Sequence, residues 1–159
     1  MFILPLTLFT RPEIMEYMIS NITYDPNKLR ITEPAVWLRM HHLPPMGWVS
    51  DFKAYKMISD PILFPQLRKV WELVLDGVPI DRVRVIANEE MGVRTPVRGR
   101  LGGKPIQRCA FYKMLRDPFY AGAVQVQGEL SRGLHEPMVT VEEFMRVQEL
   151  LQARRRNRG

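Results

Sequence analysis

Residues 105–116 read PIQRCAFYKMLR, and residues 117–124 continue DPFYAGAV. Pro105 suits the opening of a helix, and Asp117-Pro118 ends it near Arg116. At 100° per residue, Ala110, Phe111, Met114 and Leu115 share one face of that helix. Arg108, Tyr112 and Arg116, spaced by four, share the opposite face, with Cys109 and Lys113 beside them. One face is therefore built to pack, and the other presents cations and a tyrosine.

Two helices precede this one. Leu63, Leu67, Val70, Trp71 and Val74 recur at helical spacing after Pro61, and Asp76-Gly77 ends the run. Pro79 opens a second helix with Ile80, Val83, Ile86 and Ala87 as its apolar stripe, closed by Gly92. A basic, glycine-rich stretch from Val93 to Lys104 then reads as a flexible arm. Downstream, Val124 and Val126 alternate with polar neighbours as in a half-buried strand. Gly128 to Gly133 reads as a turn and Met138-Val139 as a short returning strand. Thr140-Val141-Glu142-Glu143 is a capping-box pattern, opening a helix with Phe144, Val147 and Leu151 on one face. The predicted fold is mainly α with a small β-hairpin, a helix-turn-helix-like core followed by a wing. In that arrangement Ile106 to Arg116 is the helix that enters a major groove. The plain alternative is a set of surface helices with solvated basic faces.

The charge supports the first of these. The chain of 159 residues carries a net charge of +6, and 46% of it is hydrophobic, enough for a real core. Residues 1–60 hold six basic and six acidic side chains, so the whole excess lies beyond residue 60. Gly92 to Arg116 contains Arg94, Arg98, Arg100, Lys104, Arg108, Lys113 and Arg116 and no acidic residue. Arg154, Arg155, Arg156 and Arg158 add a basic end. Such a run repels itself unless an anion neutralises it, and a phosphate backbone does so with release of counterions.

Little in the sequence points to catalysis. Cys109 is the only cysteine, which excludes an internal disulfide and a cysteine-based zinc site and fits a cytoplasmic protein. It has no convincing base in sequence and reads as a small helical residue. His41-His42 lacks the spaced partners of a metal site, so neither metal nor cofactor is expected. Glu89-Glu90 and Glu142-Glu143 read as helix-end carboxylates. Trp48, Trp71, Phe119 and Tyr120 read as core, and His135 as a structural hydrogen-bonding group. The apolar start Met1 to Phe9 is too short to span a bilayer and is not a signal peptide, and Arg11 to Asn21 reads as a short helix.

Several pieces, in order, resemble the DNA-binding "recombinase" domain of large serine recombinases, a resolvase-invertase-type group that includes phage integrases and transposon recombinases. Met114 to Gly122 (MLRDPFYAG) is similar to the family's Leu-Arg-Asn-Pro-x-Tyr-x-Gly-like run. Gly133 to Val139 (GLHEPMV) resembles its His-x-Pro-Leu-Ile segment. Val70-Trp71-Glu72-Leu73 with Asp76-Gly77, and Ile86-Ala87-Asn88-Glu89 with Gly92 to Pro96, fall at similar spacing. Pro44 to Trp48 (PPMGW) looks like the family's Pro-x-Gly-Tyr entry, with Trp48 in place of Tyr.

The resemblance implies double-stranded DNA as partner and a role in DNA integration and recombination at attachment sites of mobile elements. It also implies a bacterial or phage-encoded, nucleoid-associated protein. Ser20, Ser50, Ser59 and Ser131 are the only serines, and none lies in the family's Tyr-x-Arg-x-Ser-like nucleophile motif. The reading is a module without the catalytic serine domain and zinc ribbon, working with a catalytic recombinase chain or as a homo-oligomer. The alternative is a degenerate remnant that binds protein. The expected layout is an arm over 1–43, the DNA-binding domain over 44–154 and a basic tail over 155–159. Arg94, Arg98, Arg100 and Lys104 are expected at phosphate or the minor groove. Arg108, Tyr112 and Lys113 are expected in the major groove, with Arg116 at its rim.

Overall fold

The computed structural model describes residues 44–158 apart from 52, 54, 55, 127, 128, 133 and 134; for 56, 124–126 and 129–132 only the backbone is described. The expected arm, with Met1 to Phe9, Arg11 to Asn21 and His41-His42, lies outside the described residues.

The described chain opens with a hairpin that the sequence pattern did not reveal. Strand β1 (Trp48–Asp51) pairs antiparallel with β2 (Lys56–Ser59), with Trp48 opposite Ser59. Asp60 then starts helix α1 (Leu63–Leu75): its carboxylate accepts from the Ile62 and Leu63 amides at 2.9 and 2.8 Å. Those are donors a helix start otherwise leaves unpaired. The predicted stripe is what α1 buries, namely Leu63, Leu67, Val70, Trp71 and Val74.

Helix α2 (Ile80–Val85) passes into a single π turn over Ile86–Glu90. The wider turn shifts the inward face by one residue. Ala87 and Asn88 are buried, and Ile86, expected in the stripe, is only half-buried. The connection to the next helix spans residues 91–107 and differs from the expected flexible arm. Thr95 donates to Lys104, Gly103 donates to Thr95, and Arg98 and Leu101 exchange both backbone hydrogen bonds, all at 2.8–3.0 Å. The loop folds back on itself as a small hairpin. Gly102 makes this possible: its φ is +93°, and a Cβ there would lie 1.8 Å from the Pro96 carbonyl oxygen.

Helix α3 (Arg108–Arg116) starts later than Pro105 suggests, because Gln107 is still extended. It buries Phe111, Met114 and Leu115, whereas Ala110, predicted to pack, is exposed. A 3-10 turn (Pro118–Ala121) leads to β3 (Ala123–Val126), which pairs antiparallel with β4 (Glu129–Arg132). The returning strand is therefore Glu129–Arg132 and not Met138-Val139. The amides of Met138 and Val139 both donate to the Tyr120 carbonyl, and their side chains enter the core. Helix α4 (Val141–Arg156) begins with the predicted capping box: Glu143 N–H donates to Thr140 Oγ1 at 3.1 Å and Thr140 N–H to Glu143 Oε1 at 3.0 Å. It buries Phe144, Val147, Gln148 and Leu151 and carries the arginines to Arg156 in helical form.

One apolar core joins these elements. The Trp48 ring is met edge-on by Phe64, Phe119, Tyr120 and His135, with centroids 4.9–5.4 Å away. Its indole N–H donates to Glu136 O at 3.1 Å, and the Tyr120 hydroxyl donates to Met46 O at 2.8 Å. Such aromatic pairs add to plain area burial. Burial pushes the Tyr120 hydroxyl well above its ordinary pKa, so it stays a donor. His135 stacks on Phe119 and bonds its carbonyl oxygen, Nε2 to O 2.5 Å. Arg68 ties α1 to α4 through both Glu143 carboxylate oxygens, at 3.1 and 2.8 Å, and reaches Met138 O.

Candidate nucleic-acid interface

Buried amides hold α3 at both ends. At its start, Asn88 accepts from Ile106 N–H at 2.8 Å and donates to Ile106 O at 3.0 Å. At its end, Gln148 of α4 donates to Leu115 O at 2.6 Å. Helix ends leave backbone groups unpaired, and a buried side-chain amide satisfies them while fixing where the helix points. Sequence reasoning missed both residues. The available signal was a polar side chain within each apolar stripe: Asn88 next to Ala87, and Gln148 between Val147 and Leu151.

With α3 fixed, its polar face meets the C-terminal end of α4. Arg108, Tyr112, Lys113 and Arg116 line a shallow groove with Arg154, Arg155 and Arg158. Cys109 lies exposed at the groove, and Leu151 forms an apolar patch in its wall. Six cations from two helices share this groove, and no acidic residue lines it. The Tyr112 ring is surrounded by guanidinium groups, with Arg154, Arg108 and Arg116 at 5.0, 5.4 and 5.7 Å from its centroid. Basic residues also favour helix C-termini through the helix dipole, which accounts for part of the placement of Lys113, Arg116 and Arg154 to Arg156.

Behind the groove, at the start of α2, Asp81 gathers these side chains. Its Oδ1 accepts from Arg108 Nε at 3.2 Å and from the Tyr112 hydroxyl at 3.1 Å. Its Oδ2 pairs with Arg154 and faces Arg158 at 3.9 Å. Desolvation works against the Asp81 carboxylate, but the hydrogen bond from Arg108 and the charges of Arg154 and Arg108 outweigh it. The carboxyl is held below its usual range.

The loop cations lie apart from this groove. Arg94 turns back on its own backbone, donating to Asn88 O and Val93 O at 2.8 Å. Arg98 donates to Pro44 O at 2.6 Å. Arg100 and Lys104 are exposed, as are Val97 and Leu101. The structure thus brings together the four predicted residues of α3, adds Arg154, Arg155 and Arg158, and leaves the four predicted loop residues on a separate element. Among the described residues, no group of His, Cys, Asp and Glu is placed to hold a metal ion, and no helix is long and apolar enough to cross a membrane.

The family model described as Recombinase matches residues 62–154. No curated protein matches the sequence. Among solved structures, one from work on the sequence requirements of the Listeria innocua prophage attP site is similar, with a TM-score of 0.54 and 18% identity over 86% of this chain and 51% of that chain. A second, described as a crystal structure of an LSR-DNA complex, has the same TM-score and identity, over 86% of this chain and 39% of that one. The likeness at this identity is one of fold, and this chain spans about half or less of the length of either.

Proposed function

The chain belongs to the Recombinase family, and from that premise we propose that it binds duplex DNA as the targeting module of a site-specific serine recombinase. Residues 44–154 are the binding domain in this reading, and the arginines beyond it continue its basic face. A catalytic recombinase unit, on this chain or another, is brought to the crossover site and carries out strand exchange. The setting is the nucleoid of a bacterial host, with DNA of a mobile element as substrate.

One observation carries the proposal: six cations from α3 and α4 line a single groove without a carboxylate among them. Phosphates are the polyanion that such a row neutralises. Helix α3, clamped at both ends, is the element for the major groove, with Arg108, Tyr112 and Lys113 towards base edges and Arg116 at the rim. The hairpin loop, with Arg94, Arg98, Arg100 and Lys104, is assigned to phosphate or the minor groove. Arg100 and Lys104 lead there, because Arg94 and Arg98 already bond to main-chain carbonyls.

The test is the double substitution Arg108→Ala with Lys113→Ala. Binding to duplex DNA should weaken, and the dependence of log K on log salt should flatten by about one to two, since each lost phosphate contact removes about 0.9 of slope. Unchanged affinity in the double variant overturns the assignment of α3.

A further inference from the structure

Asp81 stands out because it opposes the charge of the surface it touches. One carboxylate, its side chain 43% exposed, faces donors from two other elements: Arg108 and Tyr112 of α3, and Arg154 and Arg158 at the end of α4. An acidic group of this kind is costly at a surface meant for phosphate, because it repels the ligand. It also does what a phosphate would do, accepting from guanidinium groups through two oxygens. Lys113, Arg155 and Arg156, by contrast, make no ion pair among the described residues.

On the reading that this chain binds duplex DNA, we propose that Asp81 is a selectivity residue that acts through Arg108 and Arg154. In the free protein it occupies the cations that α3 and α4 would otherwise offer to any phosphate. It also holds Tyr112 and Arg108 in one arrangement on the reading helix. DNA that makes only backbone contacts must compete with Asp81 for these side chains and binds weakly. DNA that also pairs its base edges with α3 displaces Asp81 at a gain. The residue thus lowers non-specific affinity in exchange for discrimination, a repulsive element of the sort that specificity commonly requires.

The experiment compares wild type, Asp81→Asn, Asp81→Glu and Glu142→Gln on a random-sequence duplex over a range of salt. Glu142→Gln removes the same formal charge at the opposite end of α4. Asp81→Asn should tighten binding about three- to tenfold at low salt and steepen the salt dependence by about one, as one more cation becomes available. Asp81→Glu should restore wild-type behaviour, and Glu142→Gln should stay within about twofold, because screening confines surface charges to about 10 Å. An Asp81→Asn variant that behaves like Glu142→Gln, or binds more weakly, overturns the inference while leaving DNA binding intact. No salt-sensitive binding by any protein, wild type included, refutes the DNA-binding reading itself. Side-chain NMR of wild type gives a check that needs no variant: the Arg108 and Arg154 Nε–H signals should shift on adding the duplex, and unmoved signals would overturn the inference.

Discussion

Replacing Asn88 by alanine removes both hydrogen bonds that hold the backbone of Ile106 just ahead of α3. Ile106 is fully buried, so water does not easily take over. Its N–H is left without the Asn88 acceptor, at a cost of about 1–3 kcal/mol for a stranded buried donor. Its carbonyl keeps a weaker contact from Arg84 at 3.5 Å, so that loss is nearer the net value of one hydrogen bond, about 1 kcal/mol. The expected total is about 2–4 kcal/mol. With a urea m-value of about 1–3 kcal/mol/M for a domain of this size, the unfolding midpoint should fall by about 1–2 M. Equilibrium urea unfolding followed by tryptophan fluorescence reads this directly, because Trp48 and Trp71 both lie in the core. A midpoint within about 0.3 M of wild type, at unchanged m-value, would refute the claim that this amide fixes the start of α3.

Two further outcomes follow from the same structure. Gly102→Ala should open the hairpin loop, since the new Cβ would collide with the Pro96 carbonyl oxygen. Hydrogen exchange at the amides of Thr95, Arg98, Leu101 and Gly103 should accelerate about tenfold or more, with α1 amides unchanged; equal loop exchange would contradict the account. Glu143 sets an acid limit on stability. The hydrogen bond from Arg68 lowers its pKa below the ordinary 4.5, against the cost of desolvation. Its contribution is therefore present above pH 4.5 and lost as the pH falls through the lower folded-state value. Glu143→Gln keeps the capping-box geometry, so its urea midpoint should fall short of wild type at pH 7 and converge with it near about pH 3. A constant gap at both pH values would count against the ion pair.

Much of this fold is legible wherever one element decides its own structure. The α1 stripe, the Thr140 capping box and the split faces of α3 are all patterns within a single helix, and each is realised. The features that misled are those settled by distant partners. Met138-Val139 has the composition of a strand, yet both amides go to Tyr120 and the polar run Glu129–Arg132 forms the strand through its backbone. The β1–β2 hairpin is only four residues on each side, and Trp48 is buried by Phe64, Phe119, Tyr120 and His135, none of them local in sequence. The π turn displaced Ile86 in favour of Asn88, because a five-residue turn breaks the period used to read the stripe.

The candidate interface divides in the same way. Arg108, Tyr112 and Arg116 are spaced by four and do fall on one face, which helical geometry alone dictates. That this face joins the end of α4 depends on Asp81 and Arg154, which lie 31 and 42 positions from Tyr112 in opposite directions along the chain. The motif residues behind the family resemblance turn out to be mostly architectural. Trp48, Phe119, Tyr120 and His135 build the core junction, and Asn88 positions α3.

The central claim is that this domain reads duplex DNA through α3. It is tested most directly by binding the protein to a pool of random duplex DNA at two salt concentrations and sequencing the bound fraction. The account predicts salt-sensitive binding with an enriched motif that Arg108→Ala with Lys113→Ala abolishes. Binding that is absent at low salt, or indifferent to salt, would contradict it.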